Sequence, residues 1–271
     1  MSHAKKFWVF TALVLVLSFL LWGLLALFRF RVPNLAEAST EVSVLPMALY
    51  VLNGFMPSVL GLCMYRVTEK KTWKKELKTL LPKSTHLKVY GEIMIVFAIM
   101  IFSQVLLYHF LIEAFDFSAF YVLLPQLIPL VILGPLSEEI GWRGYLEKQA
   151  DGFMNPLLKP LVIGVVWALW HLPLFYLLGT TQQVNDVNFL TFSFLVILLS
   201  IIMSHYRQRT DRSLFTGVLT HYLYTVGLTF YIFGTTYSLT SDLVSILPFF
   251  LFALIVSLRH HTRANPQTAR T

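Results

Sequence analysis

Charged residues fall so that they cut this chain into apolar runs long enough to cross a bilayer. The runs are Phe7–Phe28, Val42–Met64, Ile93–Ile112, Phe117–Leu136, Pro160–Leu178, Val187–Tyr206, Ser213–Tyr237 and Leu243–Leu258. A transmembrane helix needs about 20 predominantly apolar residues, so each run is of spanning length, the last being the shortest. Of the 271 residues, 13% are charged and 56% hydrophobic; a soluble domain usually carries about 25% charged residues. That much apolar surface cannot be hidden in a water-soluble core, so the bilayer must act as solvent. The expectation is an all-α, polytopic membrane helix bundle of about eight transmembrane helices, forming a single transmembrane domain over residues 1–271. The first run is long for a signal peptide and Arg29 and Arg31 follow it at once, so it reads as a retained helix.

Lysine and arginine set the expected orientation. With the N-terminus inside, Lys5 and Lys6 lie there with Arg66, Lys70, Lys71, Lys74, Lys75, Lys78, Lys83 and Lys88 after the second run. Arg143, Lys148 and Lys159 follow the fourth run, Arg207, Arg209 and Arg212 the sixth, and Arg259, Arg263 and Arg270 the last. Nineteen of the 21 basic residues therefore sort to one side, leaving Arg29 and Arg31 on the other. The opposite loops carry Glu37, Glu41, Glu113, Asp116, Asp186 and Asp242. An even number of spans with both termini cytoplasmic fits this sorting, in an integral membrane protein of a bacterial plasma membrane. The net charge of +7 is then a topology signal, and no nucleic-acid partner is expected. The segment Arg66–Lys88 reads as ordinary basic loop, with a lipid-surface helix around Trp73, Leu77, Leu80 and Leu81 as the alternative.

Ionisable residues inside apolar spans are expensive and mark functional sites by default. The informative cluster is Ser137-Glu138-Glu139-Ile140-Gly141-Trp142-Arg143, at the inner end of the fourth run. On a helix Glu139 and Arg143 share a face and can pair. Glu138 is turned about 100° away, which leaves it free to take up a proton. The fifth run carries Trp167 and His171, and the seventh carries His221 and Thr225 on one helical face. His171 stands about 16 Å and His221 about 12 Å from the inner ends of their helices, at comparable depth. A single histidine of this kind is more often a packing or hydrogen-bonding residue, and a single Glu-Arg pair is more often structural. Two carboxylates, one arginine and two histidines on three segments are harder to explain as packing. His109, His205 and Cys63 lack such company and are read as structural.

Water activated by a carboxylate and an imidazole can attack an amide, and a second imidazole with a hydroxyl can support the oxyanion. Glu138, His171 and His221 can equally hold a divalent metal such as Zn²⁺ with one open position. Glu-Glu-x-x-x-Arg, aromatic-x-x-x-His and His-x-x-x-Asn on successive helices resemble the pattern of the CPBP (CAAX protease and bacteriocin-processing, also called Abi) intramembrane metalloproteases. Here the first is Glu138, Glu139 and Arg143. The second is Trp167 and His171, with Trp where Phe is common. The third is His221 and Thr225, with Thr where Asn is common. The resemblance covers about residues 117–233. It implies that Glu138 and His171 activate water and that His221 and Thr225 support the oxyanion.

The resulting expectation is an intramembrane peptidase acting on a membrane-associated peptide or protein, with a site opening towards the cytoplasmic face. Its partners would be that substrate and the lipid bilayer. A non-catalytic immunity or scaffold protein of the same family, or a proton-coupled transporter, are the alternatives. No His-Glu-x-x-His, Gly-x-Ser-x-Gly or Gly-x-Gly-Asp motif occurs, so the zinc-peptidase, serine-elbow and aspartyl signatures are absent.

Overall fold

A computed structural model describes residues 1–32, 44–69 and 73–264, with side chains to Arg259. Glu37, Glu41, Lys70, Lys71 and Arg270, and the side chain of Arg263, lie outside the described residues. Every regular element among the described residues is helical. In chain order they are α1 (His3–Leu27), α2 (Val44–Gly54), α3 (Met56–Glu69), α4 (Lys74–Leu77) and α5 (Leu87–Leu111). A long interrupted helix, α6 (Ala119–Ala150), follows. The rest are α7 (Leu158–His171), α8 (Thr181–Val184), α9 (Phe189–Gln208), α10 (Leu214–Gly234) and α11 (Leu239–Ala264).

Six of these elements are long and apolar enough to cross a membrane: α1, α5, α6, α7 with its 3₁₀ extension to Phe175, α9 and α11. A seventh candidate is the pair α2 and α3, bent by 52°. The run expected over Ser213–Tyr237 is also a helix, α10. Its histidine, threonines and tyrosines leave it too polar to count on composition alone. The protein is thus an all-α membrane bundle of six or seven spans by that criterion, beside an eighth long helix held among them.

Surface partitioning follows from the bilayer as solvent. On α1, Phe7, Phe10, Val14, Ser18, Trp22 and Leu25 face inwards, whereas Trp8, Val16, Leu20 and Leu24 face outwards. Both faces are apolar, as a helix touching protein on one side and lipid tails on the other requires.

One expected boundary is corrected. The fourth run ended at Leu136 because charges begin there, yet α6 continues to Ala150. Those charges are buried and paired, so they do not mark the membrane surface. Arg143 pairs with Glu139 across one turn, and Glu147 pairs with Arg207 of α9 and, at 3.5 Å, with Lys159 of α7. Glu138 therefore lies twelve residues, about 18 Å, before the end of its helix.

The described residues between α3 and α5 do not form one continuous surface helix. They form the short α4 and two 3₁₀ turns, Lys78–Leu80 and Ser84–His86, docked on the bundle. Glu76 of α4 accepts from Tyr65 (2.8 Å) and Lys148 (2.6 Å). Thr79 meets the start of α10, where the Ser213 hydroxyl donates to its carbonyl at 2.9 Å. Glu92 is held by a bidentate pair with Arg209, at 2.6 and 2.5 Å.

Candidate active site

The backbone of α6 is built irregularly where the carboxylates lie. Wide π-helical turns span Ile132–Leu136 and Ile140–Leu146 and enclose a single α-helical turn, Ser137–Glu139. Pro135 supplies no amide hydrogen, and Leu133, with φ −89° and ψ 22°, leaves the helical region. Such wide turns are frequent at functional sites because they re-aim side chains without ending the helix. The Ser137 hydroxyl donates to the Gly134 carbonyl at 3.0 Å and helps satisfy the loosened turn. Gly141 lets α3 approach: a Cβ there would stand 2.2 Å from the Pro57 carbonyl oxygen.

The two glutamates have different surroundings. Oε2 of Glu138 accepts from the indole N–H of Trp167 at 2.6 Å and of Trp142 at 3.3 Å. Oε1 of Glu139 accepts from Arg143 at 3.2 Å and meets His221 Nδ1 at 2.9 Å. Both carboxylates are buried. The Arg143 guanidinium lies 4.2 Å over the Trp167 ring, and its Nη2 is 3.2 Å from Met203 Sδ. A buried arginine needs this much company: its carboxylate partner supplies the counter-charge, and the indole face and thioether cover the rest.

Both histidines are held through Nδ1. His171 Nδ1 is 2.8 Å from the Trp167 carbonyl, which can only accept, so the proton sits on that nitrogen and Nε2 is left available. Glu139 does the same for His221, an imidazole oriented by a carboxylate. The His221 ring packs edge-on against Trp167, with centroids 4.8 Å apart. Thr225 lies one turn on, and its hydroxyl donates to the His221 carbonyl at 3.0 Å.

These groups border one cavity of about 190 Å³, room for several water molecules. Glu138, His171, His221 and Thr225 line it together with Trp167. Glu139 and Arg143 are not in its lining; they stand behind His221 and Trp167. The cavity continues past Leu174 to Thr181, Gln182 and Val187, in the connection between α7 and α9. That connection is at the end of the bundle opposite the basic connections. The carboxylate thus lies deeper than its sequence boundary suggested, and a separate recess of about 200 Å³ at the basic end reaches Arg143 and Gly144 behind it.

The candidate metal ligands Glu138, His171 and His221 share the cavity wall but do not come together as a ligand set. No group of three or more His, Cys, Asp or Glu side chains among the described residues is arranged to hold a metal ion. One Glu138 oxygen is also taken up by two indole donors.

Several contributors were not reachable from sequence reasoning. Trp142 and Trp167 serve as donors to Glu138, Tyr50 of α2 lines the cavity, and Glu139 bonds His221 across 82 residues of sequence. Trp142 at i+4 from Glu138 was the one available signal, since that spacing shares a helical face.

Residues 120–227 match the family model described as Type II CAAX prenyl endopeptidase Rce1-like. A CAAX prenyl protease 2 of Methanococcus maripaludis is 24% identical over 119 residues, which cover 41% of this chain and 44% of the relative. The chain thus spans less than half the length of the curated relative it matches. The matched segment runs from α6 into α10 and contains Glu138, Glu139, Arg143, His171, His221 and Thr225. With the helical membrane architecture around it, this segment is similar to the CAAX prenyl endopeptidase domain, which supports a relationship to the CPBP/CAAX protease family.

Proposed function

We propose that this protein is an intramembrane peptidase that cleaves a peptide bond of a membrane-associated peptide or protein with water activated by Glu138 and His171. The observation that carries the reading is the fixing of Glu138. One oxygen is pinned by two indole N–H groups, and the residue borders a cavity that also holds His171 and His221. The carboxylate would accept a proton from water as that water adds to the scissile carbonyl. Nε2 of His171, freed by the bond at Nδ1, would orient the same water. The proton held by Glu138 then passes to the leaving amine as the tetrahedral intermediate collapses. His221 in its protonated form would donate from Nε2 to the oxyanion, with Glu139 carrying the counter-charge and Arg143 balancing Glu139. The scheme uses the chain's own residues and routes no step through a metal.

The experiment is cleavage of a co-expressed peptide substrate by Glu138→Gln and His171→Ala variants. General-base assistance is typically worth about 10²–10⁴-fold, so loss on that scale is expected in both. Full cleavage by both variants overturns the reading.

One observation favours a second reading, a non-catalytic immunity or scaffold protein of the same family. The Thr225 hydroxyl already donates to the His221 carbonyl, so its proton is not aimed at an oxyanion. Under that reading a Glu138→Gln variant keeps full cellular function.

A further inference from the structure

A second cavity, of about 230 Å³, is enclosed by the start of α9, the later turns of α10, the start of α11 and the connection around Asp186. It shares Val187, Phe192, Leu228 and Ile232 with the cavity at Glu138, but neither Glu138 nor His171 nor His221 lines it. Among the described residues its wall carries two carboxylates, Asp186 and Asp242, and no lysine, arginine or histidine. Asp186 is exposed, whereas Asp242 is only 7% exposed, so the Asp242 carboxylate is withdrawn from bulk water.

Asp242 is satisfied on one side only. Thr191 Oγ1 donates to its Oδ2 at 2.7 Å, and the Tyr237 hydroxyl donates to the same oxygen at 2.6 Å. Oδ1 takes no hydrogen bond from the described residues and is not sealed off from solvent. A buried carboxylate without a counter-charge is costly, and no cation in the wall offsets it. The hydroxyls of Tyr231, Thr235, Ser241 and Ser245 donate to backbone carbonyls at 2.9, 2.8, 2.7 and 2.7 Å. A hydroxyl has one proton to give, so what these groups still offer a ligand is lone pairs.

A space rich in acceptors and negative charge fits a cation that only donates. A guanidinium is matched by a carboxylate with both oxygens open to a bidentate fork, and here Oδ2 is already taken twice. A primary ammonium is a compact charge with three donors and no acceptor, and one carboxylate oxygen with neighbouring lone pairs satisfies it. Phe192, Leu195 and Leu228 supply apolar wall for the carbon stem that carries it. No group of three or more His, Cys, Asp or Glu among the described residues could hold a metal ion there instead. We propose that this second cavity binds a primary ammonium group, with Oδ1 of Asp242 as its counter-charge. Such a group is carried by a lysine side chain of a peptide, by a free alkylamine and by an ethanolamine lipid headgroup. The assignment does not depend on the peptidase reading.

The test uses the purified full chain in a maltoside detergent, with N-acetyl-lysine amide as the probe and saturation transfer from protein to probe read by NMR. N-acetyl-norleucine amide, with the same carbon stem and no charge, is the control. Saturable binding of the lysine probe is expected, with the norleucine probe weaker by about ten-fold or more. Asp242→Asn keeps an acceptor for Thr191 and Tyr237 and removes the charge. It is expected to weaken the lysine probe by about ten-fold or more while unfolding at a similar temperature. Asp186→Lys, at an exposed position, tethers an ammonium beside the cavity and is expected to weaken the probe by competition; it decides alone should Asp242→Asn not fold. Equal binding of the two probes, no saturable binding of the lysine probe, or wild-type affinity in the deciding variant overturns the proposal. The source of the ammonium is read in lipid nanodiscs by adding phosphatidylethanolamine to phosphatidylcholine, whose quaternary headgroup has no N–H. Displacement of the probe by phosphatidylethanolamine supports the site with a lipid headgroup as its occupant. Binding undisturbed by that lipid supports it with a free amine or a peptide side chain.

Discussion

At the scale of single residues, the site depends on how each polar atom is occupied. Glu138 has one oxygen held by Trp167 and Trp142, so a Trp167→Phe substitution keeps the ring packing and removes the shorter bond. A hydrogen bond to a charged group is worth about 1.5–3 kcal/mol. We expect kcat to fall by about ten-fold or more, with KM nearly unchanged and folding intact, measured by steady-state kinetics alongside thermal unfolding. Because Glu138, His171 and His221 do not form a ligand set, treatment with a strong chelator is expected to leave the cleavage rate unchanged; a rate restored only by added Zn²⁺ would contradict this. The acidic and basic members of the site were legible because charge in an apolar run is costly, and Glu139 with Arg143 was legible from helical spacing. The indole donors were not, because tryptophan in a membrane helix is unremarkable until its partner is known. Nor was the Glu139–His221 bond, which depends on the packing of α10 against α6.

At the scale of elements, the helical bundle was readable from hydropathy, although six or seven elements rather than eight qualify as spans, and the bend between α2 and α3 and the wide turns of α6 were not readable. Pro135 and Gly134 lie in the first wide turn, which packs against α10, while the second packs against α3. The sequence boundary of the fourth span failed because Arg143 and Glu147 are neutralised inside the protein, a pairing that requires α7 and α9. Gly141 shows how closely α3 and α6 are fitted, since an added Cβ would strike backbone. Overpacking of this kind costs about 1–3 kcal/mol. Gly141→Ala is expected to lower thermal stability and to reduce cleavage by displacing Glu138; an unchanged unfolding temperature would contradict the packing. The docking of α4 makes a pH prediction. Burial pushes the Glu76 carboxyl up, but the hydrogen bonds from Lys148 and Tyr65 and the Lys148 charge outweigh it and hold it below the usual value of 4.5. A carboxyl depressed in the folded state stabilises fully above its unfolded value, and that contribution is lost as pH falls through the folded one. The α3–α5 connection should therefore stay protected from proteolysis at neutral pH and loosen below about pH 4.5. Glu76→Gln should remove that pH dependence.

At the scale of the whole molecule, paired charges at one end of the bundle line a recess of about 200 Å³ that reaches Arg143, and a separate cavity runs from the buried Glu138 to the connection between α7 and α9. Lipid supports this arrangement by covering the apolar faces, so the interior can be spent on polar groups that a soluble core of this size rarely holds. The sorting of basic residues was plain in the sequence, whereas the cavity was not, because its wall is drawn from helices far apart in the chain. The central claim is that Glu138 activates the attacking water. Its most direct test is purified protein, wild type and Glu138→Gln, reconstituted in vesicles with solubilised membrane peptides, with new peptide termini counted by mass spectrometry. The account predicts new termini with the wild type and at least a hundred-fold fewer with the variant, both proteins unfolding at similar temperatures. Equal numbers of new termini from the two proteins would contradict it.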